Sequence, residues 1–508
     1  MFIPTVIALD LGGTRSKVVV LSVAGLPTIA PTNNGEWYTP TVIHCDRMGH
    51  VTFGLEAFER GQLEPEGLIL DIKAKAGTHD NLLSNGQTML AVDAIEVLLH
   101  AMVCDAERVL NAKPTHCVLT YPPCFRDDQK ADLRAAAERL GLKVLLLLPE
   151  SSAVAYLFAT TRLGSKCHYL VADIGGLTVD VSVVSIERRD VRILATESRA
   201  GIAGNAFSDA LLRRVLDEVE ARCGKRPSLP DDAAFLYDLR QRVEQAKASL
   251  GTRADVLVHI SWEGQHFTVT VQQTAYHADT ADLIQSIEDI VQKTLAAAAL
   301  DPQQLQHLII TGGGSHDPRI GAQLEARLGI AARTDVDPDR AVAYGALERG
   351  IEILRESGEA SAAGMRILAA PRPKLTDVMA HDVGVSTREC GSDGHILSVL
   401  VRKNTPIPRR HSDSFFLEYE DQACARIEIL EGEADAPQEQ CLLIGEMELD
   451  NLPKEPQRTR RIVVEIYIDE NGMVTAAATD KVGGQSQTVS FDYKHGVTAD
   501  ESDPASAA

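Results

Sequence analysis

"VADIGGLTVD", residues 171–180, decides the fold. An apolar run ends in Asp173, and Gly175, Gly176, Leu177, Thr178 and a second acid, Asp180, follow. Glycine lets backbone N–H groups approach phosphate oxygens without a Cβ in the way. Leu177 stands where such a turn would more comfortably carry a third glycine, and it strains the turn if its φ is positive. The opening of the chain repeats the plan. "VIALDLGGTRSKVVVLSV" (6–23) and "YLVADIGGLTVDVSVVSI" (169–186) both run apolar strand, Asp, apolar residue, Gly-Gly, short polar turn, β-branched strand. Asp10 matches Asp173, and Gly12 and Gly13 match Gly175 and Gly176. Valine-rich arms around a tight turn predict hairpins in a buried sheet. One such hairpin is weak evidence of a ligand. Two, each with an acid at the strand end, predict similar lobes facing each other across a cleft.

That cleft suits a phosphate ligand. Asp10 and Asp173 are expected beside a Mg²⁺ that keeps several of its waters. A third glycine segment, "LQHLIITGGGSHDPRIGAQLEARL" (305–328), predicts a buried strand, a Gly-Gly-Gly-Ser turn and a helix. It places Gly313, Gly314 and Ser315 under an adenosine, with the helix N-terminus near negative charge. "DVDPDRAVAYGAL" (335–347) predicts an N-capped helix with small residues on one face.

Composition sets the outer limits. A chain of 508 residues is too long for one core, so two or more domains are expected. The formal charge of −22 argues against nucleic acid as the main partner, because a phosphate backbone needs a basic footprint. No long apolar stretch or basic leader is present, so neither a membrane span nor a cleaved signal is expected. The nine cysteines include no CxxC pair, which predicts free thiols in a reducing cytoplasm. The scattered histidines read as surface or core residues, not metal ligands.

The three glycine segments and "DPDRAVAYGA" resemble the actin-like ATPases, most closely the 70-kDa heat-shock (DnaK-type) chaperones, along nearly the whole chain. The resemblance implies an α/β actin-like two-lobed ATPase domain over 1–370, a linker over 371–383, an all-β sandwich over 384–493 and a disordered tail over 494–508. "DIKAKAG" (71–77) supplies the family's catalytic lysine at Lys73, and "LTYPPCFRDDQKADLRAAAERLGLKVLLLLPESSAVAY" (119–156) its switch proline at Pro122 and glutamate at Glu150. Asp10, Asp173 and Thr178 complete the implied catalytic set. The resemblance also assigns Gly12, Gly13, Thr14, Gly175, Gly176, Gly204, Glu244, Lys247, Gly313, Gly314, Ser315 and Asp339 to ATP or ADP. Beyond residue 384, "ILSVLVRKNTPIPRR" (396–410), "ARIEILEGE" (425–433) and "VVEIYIDENGMVTAAATDK" (463–481) alternate as sandwich strands do. The family's peptide cleft then falls on Cys390, Ser392, Ile396, Phe415, Ala425 and Ile427, with Asp393 and Glu418 forming an acidic arch. That arch favours extended segments in which Lys or Arg flanks an apolar residue.

Departures from the family are specific. Gly13 stands where the family has threonine, and Leu177 where it has glycine. Asp317 falls near the position of an arginine that packs on adenine, and Ala248 and Gly251 replace polar adenosine contacts. The linker "DVMAHDVGV" (377–385) carries only Val378 and Met379 in place of a leucine run. Each buried leucine is worth roughly 1.5–3 kcal/mol, so weaker interdomain coupling is expected. After the last strand only "KHGVTADESDPASAA" follows, so no helical lid is expected. Three functions remain open: an ATP-dependent DnaK-type chaperone served by a J-domain partner and a nucleotide-exchange factor, a nucleotide-gated scaffold for one dedicated protein, and a small-molecule kinase.

Overall fold

The computed structural model describes residues 5–22, 25–78, 82–160, 166–229, 231–333, 335–359, 373–388, 394–417, 422–454 and 459–490. It divides into two compact units, Met1–Pro123 with Asp132–Leu375, and Cys124–Ala131 with Thr376–Ala508. The short segment Cys124–Ala131, inside the 1–370 span expected for the ATPase domain, thus belongs to the second unit.

The first unit is built twice over. In one sheet β1 (Val6–Asp10) pairs antiparallel with β2 (Arg15–Leu21), which pairs with β3 (Pro27–Ile29). On its other edge β1 runs parallel to β4 (His116–Tyr121), itself parallel to β5 (Lys143–Pro149). The second sheet repeats the pattern with β6 (Lys166–Ile174), β7 (Thr178–Glu187) and β8 (Asp190–Ala200), and with β9 (His307–Thr311) parallel to β6. β1 is buried throughout and β6 nearly so, as expected of central strands whose two faces are both covered. The two glycine hairpins are therefore β1–β2 and β6–β7, in equivalent places in two like sheets.

The second unit holds two antiparallel sheets. One has the order β11 (His395–Val401), β10 (Asp382–Arg388), β13 (Ala425–Gly432), β14 (Leu442–Leu449). The other runs β12 (Arg409–Phe416), β15 (Arg460–Ile468), β16 (Val474–Asp480), β17 (Ser486–Ser490). In β16 alternate residues are buried, the signature of a strand with one face on a core. That core gathers Met379, Val383, Ile429, Ile466 and Ala478 among others. Arg461 and Asp480 close one end as a buried bidentate pair at 2.7 and 2.6 Å.

Polar groups fasten Cys124–Ala131 within this unit. Lys130 Nζ donates to Asp127 Oδ1 at 2.7 Å and to the Gly472 carbonyl at 2.8 Å. Asp127 Oδ2 accepts from the Val474 amide at 2.9 Å, and the Asp127 amide donates to Glu431 Oε2 at 3.2 Å. His381, from the linker, shares a hydrogen bond with the Cys124 carbonyl at 3.1 Å, and burial pushes its imidazole down to about 4. The eight described cysteines form no disulfide with one another. No described helix is long and apolar enough to cross a membrane.

Glu431 carries a pH dependence with a definite sign. Burial, and then the Asp127 carboxylate, raise its carboxyl from 4.5 to about 8. The folded protein thus keeps a proton that the unfolded chain releases. The contribution of Glu431 to stability is full below pH 4.5, is lost as pH rises between 4.5 and about 8, and is gone above. Glu431→Gln is expected to remove most of that fall, giving a higher Tm than wild type at pH 8 and a difference that shrinks toward pH 5. Parallel melting curves across that range would refute the assignment.

Candidate functional site

Strand pairing decides what stands beside each strand-end acid. Asp10 lies opposite Lys17 across the first hairpin, and Asp173 opposite Asp180 across the second. The first pair is an ion pair, with Lys17 Nζ 3.5 Å from Asp10 Oδ2. Thr120 Oγ1, from the parallel neighbour β4, donates to Asp10 Oδ1 at 2.9 Å. The second pair is two acids. Asp180 accepts from Thr178 Oγ1 at 2.9 Å and from Ser198 Oγ. Burial, and then the Glu150 carboxylate, raise Asp180 to about 7. Asp173 is pushed well above the carboxylate range by burial and by the charges of Glu150, Asp180 and Asp10, which outweigh the opposing pull of the neighbouring Thr311 hydroxyl. Neither that hydroxyl nor Asp173 Oδ1 reaches hydrogen-bond geometry, and Asp173 Oδ1 is buried without a hydrogen-bond partner.

Lys73 enters from the one-turn helix Ile72–Lys75 and forms a buried ion pair with Glu150, the first residue of the helix Glu150–Thr160. Burial alone would lower its pKa. Glu150, then Asp10 and Asp180, outweigh that and hold it above the usual lysine value. Asp10, Glu150, Asp173 and Asp180 thus share this region with the ammoniums of Lys17 and Lys73. The surplus is of negative charge, and a buried carboxylate oxygen lacks a donor. Such a donor set fits a divalent cation of the Mg²⁺ class, which takes oxygen ligands. Asp173 and Asp180 would hold it. Asp10, expected beside the same ion, pairs with Lys17 and accepts from Thr120.

The glycine turns close around these acids. The Gly204 amide donates to the Gly175 carbonyl at 3.0 Å, and the Asn205 amide to the Gly176 carbonyl at 2.8 Å. A Cβ on Gly204 would lie 3.2 Å from that carbonyl and 3.9 Å from Gly314 Cα, so the second and third glycine segments abut. In the first turn Thr41 Oγ1 donates to the Gly12 carbonyl at 2.9 Å, and the Thr41 amide to the Thr14 carbonyl at 2.9 Å. Leu177 is not among the residues with positive φ, so the leucine sits in its turn unstrained.

The expected adenosine residues are placed less uniformly. Lys247 pairs with Glu244 at 2.8 Å and donates to the Gly204 carbonyl at 3.1 Å and to Ser208 Oγ at 2.5 Å, tying its helix to the first turn of the helix Gly204–Cys223. Ser315 Oγ donates to the Gly312 carbonyl at 2.6 Å, and Asp339 Oδ2 lies 3.0 Å from His316 Nε2. The helix after the glycines starts at Pro318, and the carboxylate of Asp317 caps it through the Arg319 amide at 3.1 Å. One expectation is corrected. The helix Ala341–Glu356 has no side-chain cap, because Asp337 turns back onto the Asp339 amide at 3.0 Å. Asp317 also pairs with the Arg319 guanidinium at 2.6 Å, which lies 4.9 Å over the Tyr276 ring.

Of the residues expected at a peptide cleft, Ala425 and Ile427 are buried in the sandwich core and Phe415 packs partly against it. Ile396 is half-buried on β11. Cys390, Ser392, Asp393 and Glu418 lie outside the described residues. Residues that the reading of single motifs passed over are Lys17, Thr120, Ser198 and Gly312. Lys17 had a signal: aligning the two hairpins places it where Asp180 stands in the other copy.

The family model described as Hsp70 protein matches residues 81–507. Over 503 residues, 98% of this chain and 82% of the relative, the sequence is 27% identical to "Chaperone protein DnaK" of Thermotoga petrophila. The same protein of Thermotoga maritima matches at 27% and that of Thermotoga neapolitana at 26%, over the same lengths.

The third turn offers a direct test. Gly312 has φ +83°, and a Cβ there would lie 2.5 Å from Asp173 Oδ1, whereas a Cβ on Gly313 meets nothing within 4 Å. Gly312→Ala is expected to cost about 2–4 kcal/mol of stability and Gly313→Ala under about 1. Equal melting temperatures for the two variants would contradict this geometry.

Proposed function

The chain belongs to the Hsp70 family of chaperone ATPases, and on that premise we propose that it binds and hydrolyses Mg-ATP at the Asp10–Asp173 site and holds extended peptide on its β-sandwich. The family fold is an actin-like two-lobed ATPase domain followed by that sandwich. One observation carries the reading: a buried carboxylate oxygen without a donor, Asp173 Oδ1, beside the Lys73–Glu150 pair where glycine turns meet.

Each part has a role in that chemistry. Backbone amides of the turns at 12–14 and 176–177 grip the phosphates, an approach the missing Cβ of the glycines permits. Asp173 and Asp180 would hold a Mg²⁺, which when bound would supply positive charge to the phosphoryl oxygens. Lys73 presents its ammonium to the charge developing on the transferred phosphoryl, and Glu150 keeps that ammonium fixed and protonated. Thr178 orients the Asp180 carboxylate from its own turn. A J-domain partner and a nucleotide-exchange factor are proposed as regulators on the family premise alone. Clients are extended segments in which basic residues flank an apolar one, drawn by Asp393 and Glu418. A second reading, a nucleotide-gated scaffold for one dedicated partner with little or no hydrolysis, is favoured by Leu177 in the phosphate turn.

Single-turnover hydrolysis of Mg-ATP decides between the two. Wild type is expected to turn over slowly, and Lys73→Ala to lose roughly 10²–10³-fold. Equal silence of both proteins would replace hydrolysis with the scaffold. On the sandwich, fluorescent peptides flanked by lysine are expected to bind several-fold tighter than the same peptides flanked by glutamate. Equal binding would remove the acidic arch from the account.

A further inference from the structure

We propose that Leu177 and Gly13 are a size-matched pair that seats the second glycine turn against the first. Leu177 is then a positioning residue for the phosphate turns, and its partner is the missing side chain at position 13. The proposal rests on the reading of these turns as a nucleotide site only for its effect on ligand binding. The pairing itself stands on geometry alone.

A Cβ built on Gly13 would lie 2.6 Å from Leu177 Cγ, 2.7 Å from its Cδ1 and 3.2 Å from its Cβ. Carbon atoms in good contact sit about 3.5–4.0 Å apart, so the leucine occupies the room a side chain at 13 would need. Rotating Leu177 about χ1 moves Cγ and Cδ1 but leaves its Cβ in place. Side-chain adjustment therefore relieves the collision only in part. The backbone of the second turn is anchored separately. The Leu177 carbonyl accepts from the Gly201 amide at 3.3 Å and the Gly176 carbonyl from the Asn205 amide at 2.8 Å.

One residue away the arrangement reverses. A Cβ on Gly176 would lie 3.0 Å from Thr14 Cγ2 and 3.2 Å from Thr14 Oγ1. Leu177 thus projects onto Gly13, and Thr14 projects onto Gly176. Large faces small in both directions, and the two turns interdigitate across the cleft. The two departures noted in the sequence, a glycine without its threonine and a leucine without its glycine, are one compensated exchange. The leucine is tolerated because position 13 is bare. The exchange removes a hydroxyl from the first turn and puts an apolar branch between the turns, so it sets how closely their amides approach a shared anion.

The test is a double-mutant cycle of Gly13→Thr, Leu177→Gly and the combined variant, read by thermal melting and by Mg-ADP affinity. Gly13→Thr alone is expected to lower Tm by several degrees and weaken Mg-ADP roughly tenfold. The combined variant is expected to recover both, because removing the leucine makes room for the threonine. Should Gly13→Thr not fold, Gly13→Ala runs the same cycle with the smaller collision. The pairing is overturned if the change at 13 costs as much Tm with Leu177→Gly as without it. Recovery of Tm without recovery of Mg-ADP affinity overturns the positioning role. Absence of ADP binding in every protein, wild type included, removes the nucleotide reading, and the melting arm still decides the pair.

Discussion

The carboxylates of Asp10, Glu150, Asp173 and Asp180 are all buried in one region, with the ammoniums of Lys17 and Lys73 between them. Like charges removed from water repel strongly and lose hydration, so such a cluster persists only where partners or protons compensate. The two hairpins share the task unequally. The first neutralises itself through Asp10 and Lys17, whereas the second sets Asp173 against Asp180 and leaves one oxygen without a donor. Lys73 pairs with Glu150 beside it, and the glycine turns of separate segments meet around the cluster.

Close approach of backbone is the second requirement, and the turns meet it by complementarity as well as by glycine. Gly204 and Gly314 abut the second turn, Gly312 bends with a positive φ against Asp173, and Leu177 and Thr14 fill the two notches left by Gly13 and Gly176. A loop of this kind tolerates a large residue when a neighbouring segment yields the same volume. Substitution in either turn is therefore read correctly only with the other in view.

Much of this was legible in the sequence, for identifiable reasons. Valine arms around Gly-Gly with an acid at the strand end specify a hairpin locally, and the repetition of that plan predicted the duplicated sheets. The alternation in "VTAAATD" specified a sandwich strand in the same way. What escaped depends on pairing between distant segments. Lys17 acquires meaning only when strand register sets it opposite Asp10. Three successive glycines look alike as letters, yet only Gly312 needs its conformation. Leu177 read as an ill-fitting residue in a phosphate turn because its compensating glycine belongs to another hairpin. Ala425 and Ile427 turn to the core because alternation along β13 assigns them that face, and a shift of one residue would reverse it. Glu431 and Asp127 are unremarkable acids in sequence and meet only because Cys124–Ala131 belongs to the second unit.

The most direct test of the central claim, that the acid-rich hairpin heads form a cation-dependent nucleotide site, is calorimetric titration of ADP with and without Mg²⁺, on wild type and Asp173→Asn. The account predicts binding by wild type that needs Mg²⁺ and is largely lost in Asp173→Asn. Binding of equal strength without the metal, or in the variant, would contradict it.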